Sequence, residues 1–158
     1  VEMSVFGKDE VAINKFAASM PLPVFDVTSF SQPVSLSRAK IAIVTTAALH
    51  RLDGDGFELG DGDAHFEKLP RNARDLAIGH HSVNFDRGGF AADINVVYPI
   101  DRLEEMRDAK IIGNVADHHY AFAGNQSDTV SEIRLDSGPL CAKAMLDEGV
   151  DVVLLTGT

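Results

Sequence analysis

Residues 40–46, Lys40-Ile41-Ala42-Ile43-Val44-Thr45-Thr46, decide the fold. The run is apolar at consecutive positions and rich in β-branched side chains, so both of its faces are expected to be buried, as in an inner strand of a parallel sheet. It runs out at Ala47-Ala48-Leu49-His50-Arg51, which sets His50 just past the carboxyl end of that strand. A second run of the same kind, Val150-Asp151-Val152-Val153-Leu154-Leu155-Thr156, is expected as the last strand, again buried on both faces. Between them lie a strand over 75–79, running into Gly79-His80-His81, and a short strand over 111–115. Phe66, Leu69 and Pro70 read as the lead-in to the strand over 75–79.

Helices alternate with these runs. Asp101 and Glu104 stand at capping-box spacing, and Ile100, Leu103 and Met106 recur at helical intervals, so a helix is predicted over 101–109. A second is predicted over 140–147, with Leu140, Ala144 and Met145 facing inward, Pro139 in the first turn and Gly149 as the stop. Strands alternating with helices give an α/β fold, an open, mostly parallel sheet with helices on both faces. Toward the amino terminus the pattern fades. Residues 1–20 hold a partial helical stripe, and prolines at 21, 23 and 33 force an extended course, so 1–38 reads as an arm or lead-in and 39–158 as the α/β domain. Thr156-Gly157-Thr158 follows a central-looking strand, where such folds place a ligand loop and the next helix; the domain is therefore expected to be the amino-terminal part of a longer one.

Composition narrows the function classes. With 45% hydrophobic and 24% charged residues the chain has a globular composition. A formal charge of −10, with 14 scattered Lys and Arg, argues against nucleic acid and anionic membrane as partners, since phosphate recognition needs clustered cations. A single cysteine, Cys141, forms no internal disulfide and gives no sign of an oxidising compartment. No basic segment followed by an apolar stretch opens the chain, and no apolar run approaches the roughly 20 residues of a membrane helix. A cytoplasmic location is the expectation.

The candidate chemistry sits in residues 50–124. His50, His80, His81, His118 and His119 lie at the edges of apolar runs, and imidazoles from several strand ends can converge. No HExxH, HxH or Cys-x-x-Cys spacing accompanies them, so satisfied or solvent-facing histidines are the plainer reading and no metal site is expected. The loop Asp53-Gly54-Asp55-Gly56-Phe57-Glu58 through Asp63 alternates aspartate with glycine. It fails as an EF-hand, with Phe57 fifth, Glu58 sixth and Ala64 twelfth, and reads as a solvated acidic turn. Phe85-Asp86-Arg87-Gly88-Gly89 is either an active loop or a turn, and it lacks the order of a dinucleotide site. Asp93 and Asn95 either face a substrate together or cap a loop. Cys141, inside a helical apolar pattern, reads as a buried small residue.

In order along the chain, Lys40 to His50, Gly62-Asp63-Ala64-His65-Phe66 up to Pro70, His80, Phe85-Asp86, Asp93-Ile94-Asn95, Tyr98-Pro99-Ile100-Asp101-Arg102-Leu103, His119-Tyr120-Ala121-Phe122-Ala123-Gly124 and Gly149 to Thr156 resemble the selenoprotein B family of glycine, sarcosine, betaine and D-proline reductases, nearest the D-proline type. The resemblance covers residues 21–158. It implies reductive cleavage of a carbon–nitrogen bond in an amino acid or related amine. It also implies a selenocysteine, or a cysteine in its place, with a second cysteine three residues on, in sequence expected just after Thr158. A pyruvoyl-bearing partner subunit, a thiol electron donor and an oligomeric assembly come with it. A selenolate or low-pKa thiolate at a strand end, facing a helix amino terminus, is a stabilised nucleophile. No cofactor is expected in this chain itself. His50, His80, Asp86, Asp93, Asn95 and His119 are the candidates for lining the substrate site. Asp117, His118 and Ala123 depart from the family pattern, which leaves substrate identity open. Two further function classes stand beside the reductase component: a non-catalytic ligand-binding or subunit-interaction domain on the same scaffold, and a metal-assisted hydrolase built on the histidines.

Overall fold

The computed structural model of the protein describes residues 10–19, 31–58, 63–79, 88–124, 126 and 132–157. The chain divides into two compact units, Val1–Pro33 and Val34–Thr158. The first holds helix α1 (Glu10–Ser19). The second holds, in order, β1 (Lys40–Thr45), β2 (Leu49–Arg51), β3 (Phe66–Pro70), β4 (Leu76–Ile78), α2 (Gly88–Ala92), α3 (Ile100–Asp108), β5 (Asn114–Val115), β6 (His118–Phe122), α4 (Gly138–Asp147) and β7 (Val152–Thr156).

The run that decided the fold does form the sheet's centre. β1 pairs in parallel with β5, β6 and β7, and β3 closes the far side antiparallel to β6. Ile41 is matched with both Val115 and Val152, so β5 and β7 lie on opposite edges of β1; β6 continues the β5 edge, because Val44 is matched with Tyr120 and with Leu155. Alternate side chains of β1 feed two layers. Ile41 and Ile43 pack with Tyr98, Ile100 and Leu103 of the α3 region, whereas Val44 packs with Tyr120, Phe122 and Cys141 beneath α4. The α/β class, the mostly parallel sheet and a helix on each face are therefore as expected.

β5 and β6 are one strand interrupted. The register runs from Lys40↔Asn114 to Val44↔Tyr120, so this edge carries two residues more than β1 over the same length. A bulge of that kind leaves a ladder N–H without its carbonyl. Here the Ile43 N–H donates to the imidazole Nδ1 of His119 at 3.0 Å, and His119 is fully buried. The side chain substitutes for a backbone acceptor inside the core.

Several expectations need correction. β7 is not buried on both faces: Leu155 is 75% exposed, and Val153 and Leu154 are 38% and 37% exposed. It is an edge strand that pairs only with β1 among the described residues, and an edge strand has no second neighbour to cover it. Leu140 points outward, 62% exposed, and Cys141 takes the inward place at 2%. Asp101 does not cap α3; Pro99 stands at the cap, while Asp101 lies in the first turn and Glu104 pairs with Arg71. Residues 66–70 are a full strand, β3, and 118–122 are the inner strand β6. β4 belongs to a separate two-stranded antiparallel sheet with β2.

Candidate functional site

The carboxyl ends of the parallel strands converge just after β1. The Thr46 N–H donates to the Thr156 carbonyl at the end of β7 (3.0 Å), Ala47 bridges to Ala123 past the end of β6, and the Ala48 N–H donates to the Phe122 carbonyl (2.9 Å). Ala48 has a φ of 51°, a left-handed backbone that is uncommon for a residue with a Cβ and is held here by its neighbours. Its carbonyl accepts the Gly79 N–H at 2.9 Å, which draws the end of β4 to the same place. Thr156 Oγ1 donates to the Val97 carbonyl (2.8 Å), so the segment following Asp93 and Asn95 is tied to the end of β7. The strand-end crevice of an α/β sheet, its usual ligand position, is thus assembled from four strands.

His50, in β2, stands beside these strand ends. Its Nδ1 lies 3.1 Å from the Ala48 carbonyl. A carbonyl only accepts, so Nδ1 carries a proton, and in the neutral ring Nε2 is the nitrogen left with a lone pair. Phe57 meets the ring edge-on at 6.2 Å and stacks in turn on His65 at 4.5 Å. Asp63 anchors that stack, accepting from the His65 ring at 2.5 Å and from the Glu58 N–H at 2.7 Å. Burial works to raise the Asp63 carboxyl, but these hydrogen bonds outweigh it and hold the group below the ordinary carboxylate range.

Asp93 and Asn95 form a local lock. Asp93 accepts from the Asn95 backbone N–H (2.9 Å) and amide (2.8 Å), which lowers its carboxyl, while Asn95 also donates to Asp101 Oδ2 (3.0 Å) and accepts the Asp101 N–H (3.1 Å). The pair fastens the turn before α3, the loop-capping alternative. His119 lies in the sheet interior, its Nδ1 already taken by Ile43. Among the described residues no hydrogen bond joins His50, the Asp93–Asn95 pair and His119 to one another. His80 and Asp86 lie outside the described residues. His118 lies at the amino-terminal end of β6, away from these strand ends, 2.8 Å from Glu148, which also pairs with Lys68. No group of three or more His, Cys, Asp or Glu among the described residues is arranged to hold a metal ion.

Sequence reasoning missed Ala48, Gly56 and Gly79, the backbone positions that shape the surroundings of His50. A glycine directly after a strand run, Gly79, was the available signal.

Beneath α4 an apolar cavity of about 450 Å³ opens at the same strand ends, lined by Val44, Thr46, Phe122, Cys141, Met145 and Leu155 among others. Burial pushes the Cys141 thiol up to about 11, so it stays protonated and unreactive at neutral pH. Iodoacetamide should leave Cys141 of the native protein unmodified over a time in which denatured protein reacts completely; fast native labelling would contradict its placement.

These features define a mixed α/β domain with a strand-end crevice. The family model for glycine/sarcosine/betaine reductase selenoprotein B matches residues 8–158. D-proline reductase subunit gamma of Acetoanaerobium sticklandii is 32% identical over 118 residues, 73% of this chain and 47% of that protein. Glycine reductase complex component B subunit gamma of Symbiobacterium thermophilum is 28% identical over 148 residues, 90% of this chain and 34% of that protein. Sarcosine reductase complex component B subunit beta of Peptoclostridium acidaminophilum is 25% identical over 150 residues, 91% and 34% of the two chains. No solved structure gives a significant match. The chain belongs to the glycine/sarcosine/betaine reductase selenoprotein B family, and it spans about a third to a half of the length of these relatives.

Proposed function

We propose that this chain is part of a reductase component that cleaves a carbon–nitrogen bond of an amino acid or related amine in the cytoplasm, with the strand-end crevice facing the reacting amine. The observation that carries the reading is the family match over residues 8–158, which includes every element of the crevice. The strand-end geometry supports it because four strand ends meet beside a half-buried imidazole whose Nε2 has no hydrogen-bond partner among the described residues. His50 lines it, and His80 and Asp86, which follow β4 in sequence, are proposed to line it too. Asp93 and Asn95 shape its far side through Val97 and Thr156, whereas His119 serves the sheet.

The reaction needs a selenolate or thiolate, which supplies the electron pair for the cleavage and is oxidised as the bond breaks. Cys141 does not fit that role, being buried and held as the thiol. The redox pair is therefore proposed to lie elsewhere in a family-length protein, with a pyruvoyl-bearing partner subunit and a dithiol electron donor. The relatives are named as subunits of reductase complexes, in keeping with an assembly of several chains.

The multi-subunit reading is tested by capturing the native assembly through this protein and treating it with phenylhydrazine. A co-purifying subunit labelled at an amino-terminal carbonyl is the expected result. Capture with no carbonyl-bearing subunit would remove that half of the proposal and favour the reading as an interaction domain.

A further inference from the structure

His50 is enclosed by backbone. Glycines occupy the two positions where a side chain would collide with its ring. A Cβ at Gly56, whose φ is +69°, would fall 3.0 Å from Nε2, 3.1 Å from Cδ2 and 3.3 Å from Cε1. Near-equal distances to three ring atoms place that point over the ring face, because a point in line with the Nε2 lone pair would lie well farther from the two carbons than from the nitrogen. A Cβ at Gly79 would lie 3.3 Å from Cε1, 3.4 Å from Nδ1 and 3.2 Å from the Ala48 carbonyl oxygen. The two positions therefore have no room for a side chain beside the ring, and only glycine lets the backbone pass there.

The remaining sides are set as well. The left-handed Ala48 aims its carbonyl at Nδ1, fixing both tautomer and rotamer, and Phe57 abuts the ring edge-on. The ring nitrogen that none of these contacts engages is Nε2. Among the described residues that nitrogen has no hydrogen-bond partner, and the residue is only half buried. Orienting an imidazole through a backbone carbonyl on one nitrogen while the other is left free is the arrangement used where the free nitrogen must meet a ligand.

We propose that His50 is a binding residue whose Nε2 accepts a hydrogen bond from an N–H of the amine substrate, and that Gly56, Gly79 and the Ala48 carbonyl are the groups that position it. The proposal rests on the functional reading above for the identity of the donor. It does not rest on that reading for the tautomer and the clamp. A purely structural histidine would need only its Nδ1–H.

Two measurements test it. The first is ¹⁵N NMR of histidine-labelled protein. In its neutral form His50 should show a donor-type Nδ1 and an acceptor-type Nε2, and Gly56→Ala should disturb that pattern by displacing the ring. The opposite tautomer in the neutral form of the native protein, or a His50 signature unchanged in Gly56→Ala, would overturn the positioning. The second is amine turnover by the native complex carrying His50→Asn, whose side-chain amide can still donate to the Ala48 carbonyl but puts nothing at Nε2. A rise in KM of about tenfold to a hundredfold for glycine, sarcosine or D-proline, with thermal stability kept, is expected for loss of a hydrogen bond to a charged group. Betaine, which has no N–H, should show no such rise. An unchanged KM for the N–H substrates, or an equal rise for betaine, would overturn the ligand role. If the unmodified complex cleaves none of these amines, the functional reading and the ligand role fall together, and the NMR measurement still decides the clamp.

Discussion

Replacing Gly113 with alanine should destabilise the protein by about 3 kcal/mol, at the upper end of what overpacking a well-ordered site costs. The added Cβ would fall 2.4 Å from the carbonyl carbon of Arg38, 2.5 Å from its oxygen and 2.8 Å from its Cα. All three are backbone atoms, so no side chain can swing aside. The Gly113 N–H also donates to the carbonyls of Leu36 (2.9 Å) and Ala39 (3.1 Å), which fixes the entry of β5 beside the start of β1. Any shift that relieves the clash must move that entry and the Lys40↔Asn114 pairing behind it. Gly149→Ala is the internal control. Gly149 has a φ of +70° but nothing nearer than Lys40 Nζ at 3.9 Å, so only the left-handed backbone is penalised, by about 1 kcal/mol. Chemical denaturation of the two variants reads the difference directly. Equal losses would mean that β5 does not approach Arg38 as described.

His119→Ala should be as damaging, about 3–5 kcal/mol, because it removes a fully buried ring that packs edge-on against Tyr98 at 5.5 Å and leaves the Ile43 N–H without an acceptor. His119→Asn should recover part of the loss, since its carbonyl oxygen can reach the place of Nδ1. The same residue gives the protein an acid-sensitive component of stability. Burial pulls the His119 pKa down from 6.5 to about 4, with Arg71 and His118 adding to the effect and Glu148 opposing it. The native imidazole therefore stays neutral over a pH range in which the unfolded chain takes up a proton. Stability contributed by the neutral ring is complete above pH 6.5, falls as pH drops toward about 4, and loses on the order of 3 kcal/mol across that window. Denaturation curves at pH 7, 5.5 and 4 should show a steeper decline for the wild type than for His119→Asn. Parallel declines would contradict a buried, neutral His119.

The parts of the fold legible in the sequence are those whose burial is uniform. Residues 40–45 carry an unbroken apolar run, and they do form the strand that touches β5, β6 and β7. β6 is equally internal but reads His118-His119-Tyr120-Ala121-Phe122, two histidines in five, and no rule of periodicity assigns such a run to a core. Its histidine is inside because a two-residue bulge created a donor that only a side chain could satisfy, a fact of tertiary register rather than of local pattern. β7 shows the converse: Val-Val-Leu-Leu reads as buried on both faces, yet an edge position leaves three of its side chains exposed. At the site, chemical residue types drew attention to His50, and the structure adds the reason its orientation is fixed. That reason lies in glycines and one carbonyl, groups without side-chain chemistry to advertise them. Asp93 and Asn95 were visible as a pair; Asp93's hold on Asn95 and Asn95's two bonds to Asp101 made them a fastening for α3.

The most direct test of the reductase reading is dithiol-dependent turnover by the native complex captured through this protein. Glycine, sarcosine, betaine and D-proline are supplied separately with dithiothreitol, and consumption of each is followed together with its carbon–nitrogen cleavage product. The account predicts that at least one of the four is cleaved, only when the dithiol is present. Intact recovery of all four from a complex of verified composition would contradict it.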